Sequence, residues 1–334
     1  MTGEDDVRLV YELLLGRAPS LADIEAHGQA EDWRQLLTAI AGSPEFVTRT
    51  GSWLQAPEPA PKSRPISSGG WADRHPPPVE AWTADYEAAR WDLIADAMAD
   101  ERLLAGMRES APLPDGYGGG FDERVVEYPW LISQQLRGRV LDAGSIANFA
   151  PVLDRVLPLC DELTIATLAP EPASFPERGV SYVYADLRDL PFRDDRFDVV
   201  FCLSTIEHVG CDTSVYGLSA DTGAGPQREA VRAARELKRV LAPGGRMLLS
   251  VPFGRSSSFG WGRQFDGDEL DELVGALSPE RVDERIARFG ADGWRFCDRA
   301  EVAHVEYHDA LSGPLSGEDG ATAARAVACV ALQF

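Results

Sequence analysis

Residues 182–210, YVYADLRDLPFRDDRFDVVFCLSTIEHVG, constrain the fold more than any other part of the chain. They read as a strand, an acidic turn, a second strand and a polar tip. Val199, Val200, Phe201, Cys202 and Leu203 make an almost unbroken apolar run. A strand of that kind is covered on both faces, as in a parallel sheet with helices on either side. Open α/β sheets bind ligands at the carboxyl ends of their strands. Ser204, Thr205, Ile206, Glu207 and His208 are therefore set where a ligand would be met.

The same alternation runs on either side. Residues 139–142, 162–168, 180–185, 198–203 and 246–252 read as strands, with helices over 151–157 and 227–241. Residues 266–277 and 279–289 read as helices, and 301–307 and 324–334 as late strands. Repeated βα units with short links imply an α/β fold: a Rossmann-like, seven-stranded, mostly parallel sheet with helices on both faces. The expected organisation is a small all-α module over 1–52, a linker over 53–78, a helical lid or extension over 79–124, and the main domain over 125–334. The linker is rich in Pro, Ser and Gly, a composition that builds no core. In the N-terminal module, Val7, Val10, Leu36 and Ile40 fall on apolar stripes, and Ser20 is set to cap a short helix.

Composition narrows the partners. A formal charge of −22 argues against sequence-independent binding to nucleic acid, which needs a basic face, and against an anionic membrane surface. No apolar run approaches the length of a bilayer span. The five cysteines are odd in number and include no C-x-x-C, the pattern of reduced thiols. With no basic and apolar leader at its start, the chain is expected to be cytoplasmic.

Asp186, Leu187, Leu190-Pro191-Phe192 and Phe197-Asp198-Val199-Val200 match, in order, a pattern of the class I S-adenosylmethionine-dependent methyltransferases. The tip STIEHVG, followed by Tyr216-Gly217, is similar to a bacterial branch found beside polysaccharide-synthesis proteins. The resemblance spans roughly residues 125–334 and implies S-adenosylmethionine as cofactor. It places Asp142, Gly144 and Ser145 at the turn after the first strand. It also implies that Asp186 accepts from the adenine amine beside the Leu187 backbone, and that Ser204 and Thr205 stand where sulfur and acceptor meet. A second reading of Asp186 is that it caps the turn that follows. The chain departs from the family pattern twice. The glycine motif of the first turn keeps only Asp142 and Gly144. The usual acidic residue at the end of the second strand is missing: the tip runs Thr164 to Pro170 and the first carboxylate is Glu171, leaving the Thr167 hydroxyl as a substitute.

His208 is the candidate general base, because imidazole titrates near neutrality, with Glu207 to orient it. Asp212, Tyr216, Arg255, Trp261 and Arg263 are candidates for acceptor binding. No metal is expected: Ser204 stands where some relatives carry the first Glu of an E-x-x-E-H metal motif. The phrases YELLLGRAP and SPEF resemble a helical module often attached to glycan-modifying enzymes, which implies docking of a glycan or a glycan-pathway protein through residues 4–50. The resulting expectation is O-methylation of a sugar, glycan precursor or other small hydroxylated metabolite. The alternative is a non-catalytic binding or scaffold protein on the same fold.

Overall fold

The apolar run of residues 199–203 lies inside an eight-stranded sheet. Strands β1 (Arg139–Ala143), β2 (Glu162–Thr167), β3 (Val180–Tyr184), β4 (Phe197–Leu203) and β5 (Leu241–Pro252) are parallel. A short ribbon follows, β6 (Ser257–Ser258) with β7 (Arg263–Gln264). Strands β8 (Arg281–Gly290), β9 (Gly293–Cys297) and β10 (Ala326–Gln333) complete the main sheet by antiparallel pairing, in the order β3-β2-β1-β4-β5-β10-β8-β9. This computed structural model describes residues 7–8, 10–11, 19–27, 30, 35–36, 39–40, 70–76, 80–212 and 225–334. The chain divides into two compact units, 1–58 and 59–334.

In the first unit, Val7, Val10, Tyr11, Leu36 and Ile40 form a small buried cluster. Helix α1 (Leu21–His27) starts at Ser20, whose hydroxyl accepts from Asp23 N at 3.2 Å while its own N–H donates to the Asp23 carboxylate at 2.8 Å. The predicted cap is present. Of the linker expected over 53–78, residues 70–76 are described, and Trp71 there is buried in the core; the rest lies outside the described residues.

In the second unit, alternate residues of each inner strand enter opposite cores, which is why β4 carries no polar residue from Val199 to Leu203. Phe201 and Leu203 join Val140, Leu163 and Ile165 on one face. That face is covered by α3 (Ala84–Ala99), α4 (Glu101–Glu109), α5 (Arg124–Ser133) and α6 (Ala150–Val156), after the short α2 (Trp71–Arg74). Val200 and Cys202 join Leu141, Met247 and Leu249 on the other, under α7 (Pro226–Val240) and α8 (Gly267–Gly275). The expected α/β class, with helices on both faces, is the observed one. The helices of residues 84–109 bury Tyr86, Leu93, Ile94 and Met98 in the core.

Two local expectations are corrected. Residues 279–289 are not a helix: Arg281–Gly290 is strand β8, and the sheet gains an eighth strand. Their mixed charges suit a helix surface, but β10 (AVACVALQ) is apolar up to its last residue and needs a partner on each side. Long-range pairing overrides local propensity. Residues 301–307 are not a strand; Arg299–Val302 is a short helix, α9.

Candidate active site

The ends of β1, β2, β3 and β4 bring the candidate residues to one edge of the sheet. At the end of β1, Asp142 is fully buried and accepts from Ile146 N at 3.2 Å and Ala147 N at 2.7 Å. These two bonds fold the chain back over the strand end. Burial pushes the Asp142 carboxyl up to about 8, against the two amides that favour its charged form. Gly144 has φ +127°, and a Cβ there would lie 2.2 Å from Thr205 Oγ1. Only glycine fits this approach of the first turn to the β4 tip.

The first carboxylate beyond β2, Glu171, is drawn back to the strand end by side-chain donors. Glu171 accepts from Ser145 Oγ, from Asn148 Nδ2 at 2.6 Å and from Thr167 Oγ1 at 3.3 Å. Asn148 also donates to Ala173 O at 2.9 Å and accepts from Tyr182 Oη at 2.8 Å, so one side chain locks the loop across β1, β2 and β3. The sequence carried one signal of Glu171, its place as the first carboxylate after the strand, and none of the role of Asn148.

At the end of β3, Asp186 does not present an open carboxylate. It accepts from Arg188 N at 2.8 Å and from Arg188 Nε and Nη2 at 2.9 Å and 2.6 Å. Arg188 bridges on to Glu229 of α7 at 2.9 Å. Its bonds to Arg188 hold the Asp186 carboxyl below the usual range, against partial burial that acts to raise it. The turn-capping reading describes this geometry. Leu187 is buried in the core beneath.

At the end of β4, Ser204 turns away from the edge. Its hydroxyl donates to Glu127 at 2.6 Å, as does Ser250 Oγ at 2.5 Å, and Arg124 Nη1 reaches the other oxygen at 2.6 Å. Glu127, on α5, is completely buried and had no signal in sequence. Thr205 Oγ1 donates to Leu203 O at 2.9 Å. His208 Nδ1 lies 2.9 Å from Trp261 O, and the two rings stack at 5.4 Å. A carbonyl only accepts, so Nδ1 carries the proton and Nε2 the lone pair. Burial, joined by the Arg124 charge, lowers His208 to about 4, so the ring is neutral at physiological pH. Nε2 is 3.8 Å from Glu207 Oε1. Glu207 is itself 2% exposed, and burial, with Glu127 and Glu123 adding, raises its carboxyl well above the ordinary value. Burial thus works against charge on both side chains.

Phe259 and Tyr307 extend the aromatic wall, stacked at 4.2 Å, with Phe259 4.7 Å from Trp261. Of the other acceptor candidates, Asp212 N donates to Gly260 O at 3.0 Å, which ties the β4 loop to the β6–β7 ribbon. Arg255 is exposed and pairs with Glu306 at 2.7 Å, engaged in a surface ion pair. Tyr216 lies outside the described residues. Among the described residues no cluster of three metal-ligating side chains occurs, and no helix is long and apolar enough to cross a membrane.

Residues 161–249, from the start of β2 into β5, match a family described as a methyltransferase domain. No curated protein matches the sequence. Among solved structures, the chain is similar to the YcgJ protein from Bacillus subtilis, at 17% identity over 62% of this chain and 97% of that one, with a TM-score of 0.39. It is similar to the N-methyltransferase NodS from Bradyrhizobium japonicum WM9, in complex with S-adenosyl-L-homocysteine, at 12% identity over 73% and 97%, with a TM-score of 0.38. An S-adenosylmethionine-dependent methyltransferase from Methanosarcina mazei gives 15% identity over 61% and 97%, with a TM-score of 0.39. The matched family supports methyl transfer, with S-adenosylmethionine as the cofactor.

Proposed function

We propose that this protein transfers the methyl group of S-adenosylmethionine to an oxygen of a small hydroxylated acceptor, sugars and glycan precursors included. The observation that carries the reading is Glu171, a carboxylate held by Ser145, Asn148 and Thr167 at the sheet edge where a ribose would need an acceptor of hydrogen bonds. The cofactor fits these residues. Glu171 would take the ribose hydroxyls, the turn at Gly144 and Ser145 would pass close to the amino-acid end, and Leu187 would line the adenine. Ser204 and Asp186 shape the edge through Glu127 and Arg188 instead of holding the cofactor directly. When bound, the sulfonium supplies an electrophilic methyl group for in-line displacement, a reaction catalysed mainly by positioning.

His208 is the base in this reading. The Trp261 carbonyl fixes the tautomer whose Nε2 accepts the hydroxyl proton, and the aromatic wall of Phe259, Trp261 and Tyr307 keeps water from the acceptor side. Glu207 positions the ring from 3.8 Å. Docking to a glycan-pathway partner through residues 4–50 rests on the sequence resemblance of that module. A non-catalytic scaffold is the competing reading, favoured by the engagement of Asp186 with Arg188.

The test uses the full chain with S-adenosylmethionine labelled in the methyl group, incubated with a small-metabolite extract. Transfer of label to an extract component is expected, and its loss in His208→Gln with retained binding of S-adenosylhomocysteine. Binding of S-adenosylhomocysteine by the wild type with no transfer to any component would favour the scaffold.

A further inference from the structure

Arg263 on β7 is 4% exposed, yet its Nε and Nη2 are buried without a hydrogen-bond partner. These two nitrogens form one edge of the guanidinium, the edge that takes a carboxylate through two parallel bonds. At three other arginines that edge is filled, while Arg74, Arg90 and Arg285 leave Nε alone buried without a partner. Arg139 gives Nε and Nη2 to Asp198, Arg188 gives them to Asp186, and Arg299 gives them to Glu284. In Arg263 only Nη1 meets a carboxylate, at 3.6 Å from Glu269, and the guanidinium lies 3.8 Å over the Phe265 ring. A buried charge with an empty donor edge is unfavourable until something completes it.

The position of Arg263 ties it to the β4 tip. Its neighbour Gly262 presses on His208, where a Cβ would lie 3.0 Å from Nδ1. Cys211 and Glu207 are among the groups close enough to act on Arg263. Two further polar atoms around the same histidine are also buried and unpartnered, Glu207 Oε2 and Trp261 Nε1. A cation edge, a carboxyl oxygen and an indole N–H thus lie buried and unpartnered on residues that flank one histidine.

We propose that Arg263 binds a carboxylate of the acceptor, so that the molecule methylated is a hydroxy acid. The proposal rests on the methyl-transfer reading for the word acceptor; the carboxylate site rests on Arg263 itself. Glu207 and Trp261 complete the recognition by bonding polar groups of the same molecule. Arg255, exposed and paired with Glu306, takes no part.

The test is calorimetry on the full-length protein saturated with S-adenosylhomocysteine, titrated with acetate and benzoate against acetamide and benzamide. The acids are expected to bind at least about tenfold more tightly than their amides, the size of a charge-assisted bidentate contact. Arg263→Met loses that preference and Arg263→Lys keeps part of it, with affinity for S-adenosylhomocysteine unchanged in both. Equal binding of acids and amides by the wild type overturns the proposal without any variant having to fold, and so does an absence of acid binding at tens of millimolar. The cofactor carries a carboxylate too. If Arg263→Met weakens S-adenosylhomocysteine but not methylthioadenosine, which lacks that group, Arg263 serves the cofactor and the proposal is overturned. Failure of the wild type to bind S-adenosylhomocysteine strikes the methyl-transfer reading instead, and the preference for acids over amides then still reads out Arg263.

Discussion

The polar groups at the ends of β1 and β2 answer one another, whereas those beyond the end of β4 are left partly unanswered. Around the first turn, Asp142 takes two backbone amides, Asn148 bonds Glu171, Ala173 and Tyr182, and Glu171 gathers Ser145 and Thr167. Around His208, by contrast, Glu207, Trp261 and Arg263 each keep a buried polar atom without a partner. Fully connected buried networks fix one geometry, and incomplete ones mark where a further group belongs. The difference assigns the two regions different work. On the proposed reading, the first is a preformed cradle that needs only to exchange a hydroxyl for a hydroxyl, and the second is finished by its ligand.

The comparison is broken most severely at Gly144. Gly144→Val drives a side chain into Thr205, within 2.2 Å at Cβ alone, from a backbone conformation that valine avoids. Binding of S-adenosylhomocysteine should vanish from calorimetry. Stability should fall by about 1–3 kcal/mol in a denaturant melt, the usual consequence of overpacking. His208→Gln acts on the other region alone: turnover falls by about 10²–10⁴, the contribution of a general base, while affinity for S-adenosylhomocysteine stays. Equal losses of both would mean that the two regions are one. Asp186→Asn should be milder than a direct adenine contact would require, because the carboxylate is already spent on Arg188. An affinity loss of only about three- to fivefold, near 1 kcal/mol, is expected by calorimetry.

A separate effect, on stability and not on binding, is a pH dependence from His208. Its folded pKa of about 4 lies below the ordinary 6.5, so the unfolded chain binds the extra proton first. The contribution is intact above pH 6.5 and is lost as pH falls from about 6.5 to 4, with a slope of at most about 1.4 kcal/mol per pH unit. Burial sets this shift and the Arg124 charge adds to it, against the Trp261 carbonyl; Glu207 faces the ring from 3.8 Å. Melts of the wild type and His208→Gln across that range should converge towards acid.

Much of the sheet was legible because burial on both faces leaves a strand no choice of residues; the run of residues 199–203 shows it. What escaped the sequence depended on contacts from far along the chain. Asp198, part of the recognised motif, lies at the opposite end of β4 from the site and clamps Arg139 N at 2.8 Å. Those bonds from Arg139 hold its carboxyl down to about 2. Strand β8 could not be read because its pairing with β10 exists only in the folded sheet. Glu171 was passed over because a position after the strand end counts as loop until Asn148 and Tyr182 pull it back. Arg263 was a candidate by location, but its empty donor edge is a property of burial.

Calorimetry of the wild type and Glu171→Gln with S-adenosylhomocysteine tests the cradle most directly. The expected result is one-site binding by the wild type and a loss of about tenfold or more in the variant, whose melt is displaced little. An affinity identical in the two proteins, or no heat from the wild type at millimolar ligand, would contradict the assignment of this sheet edge to the cofactor.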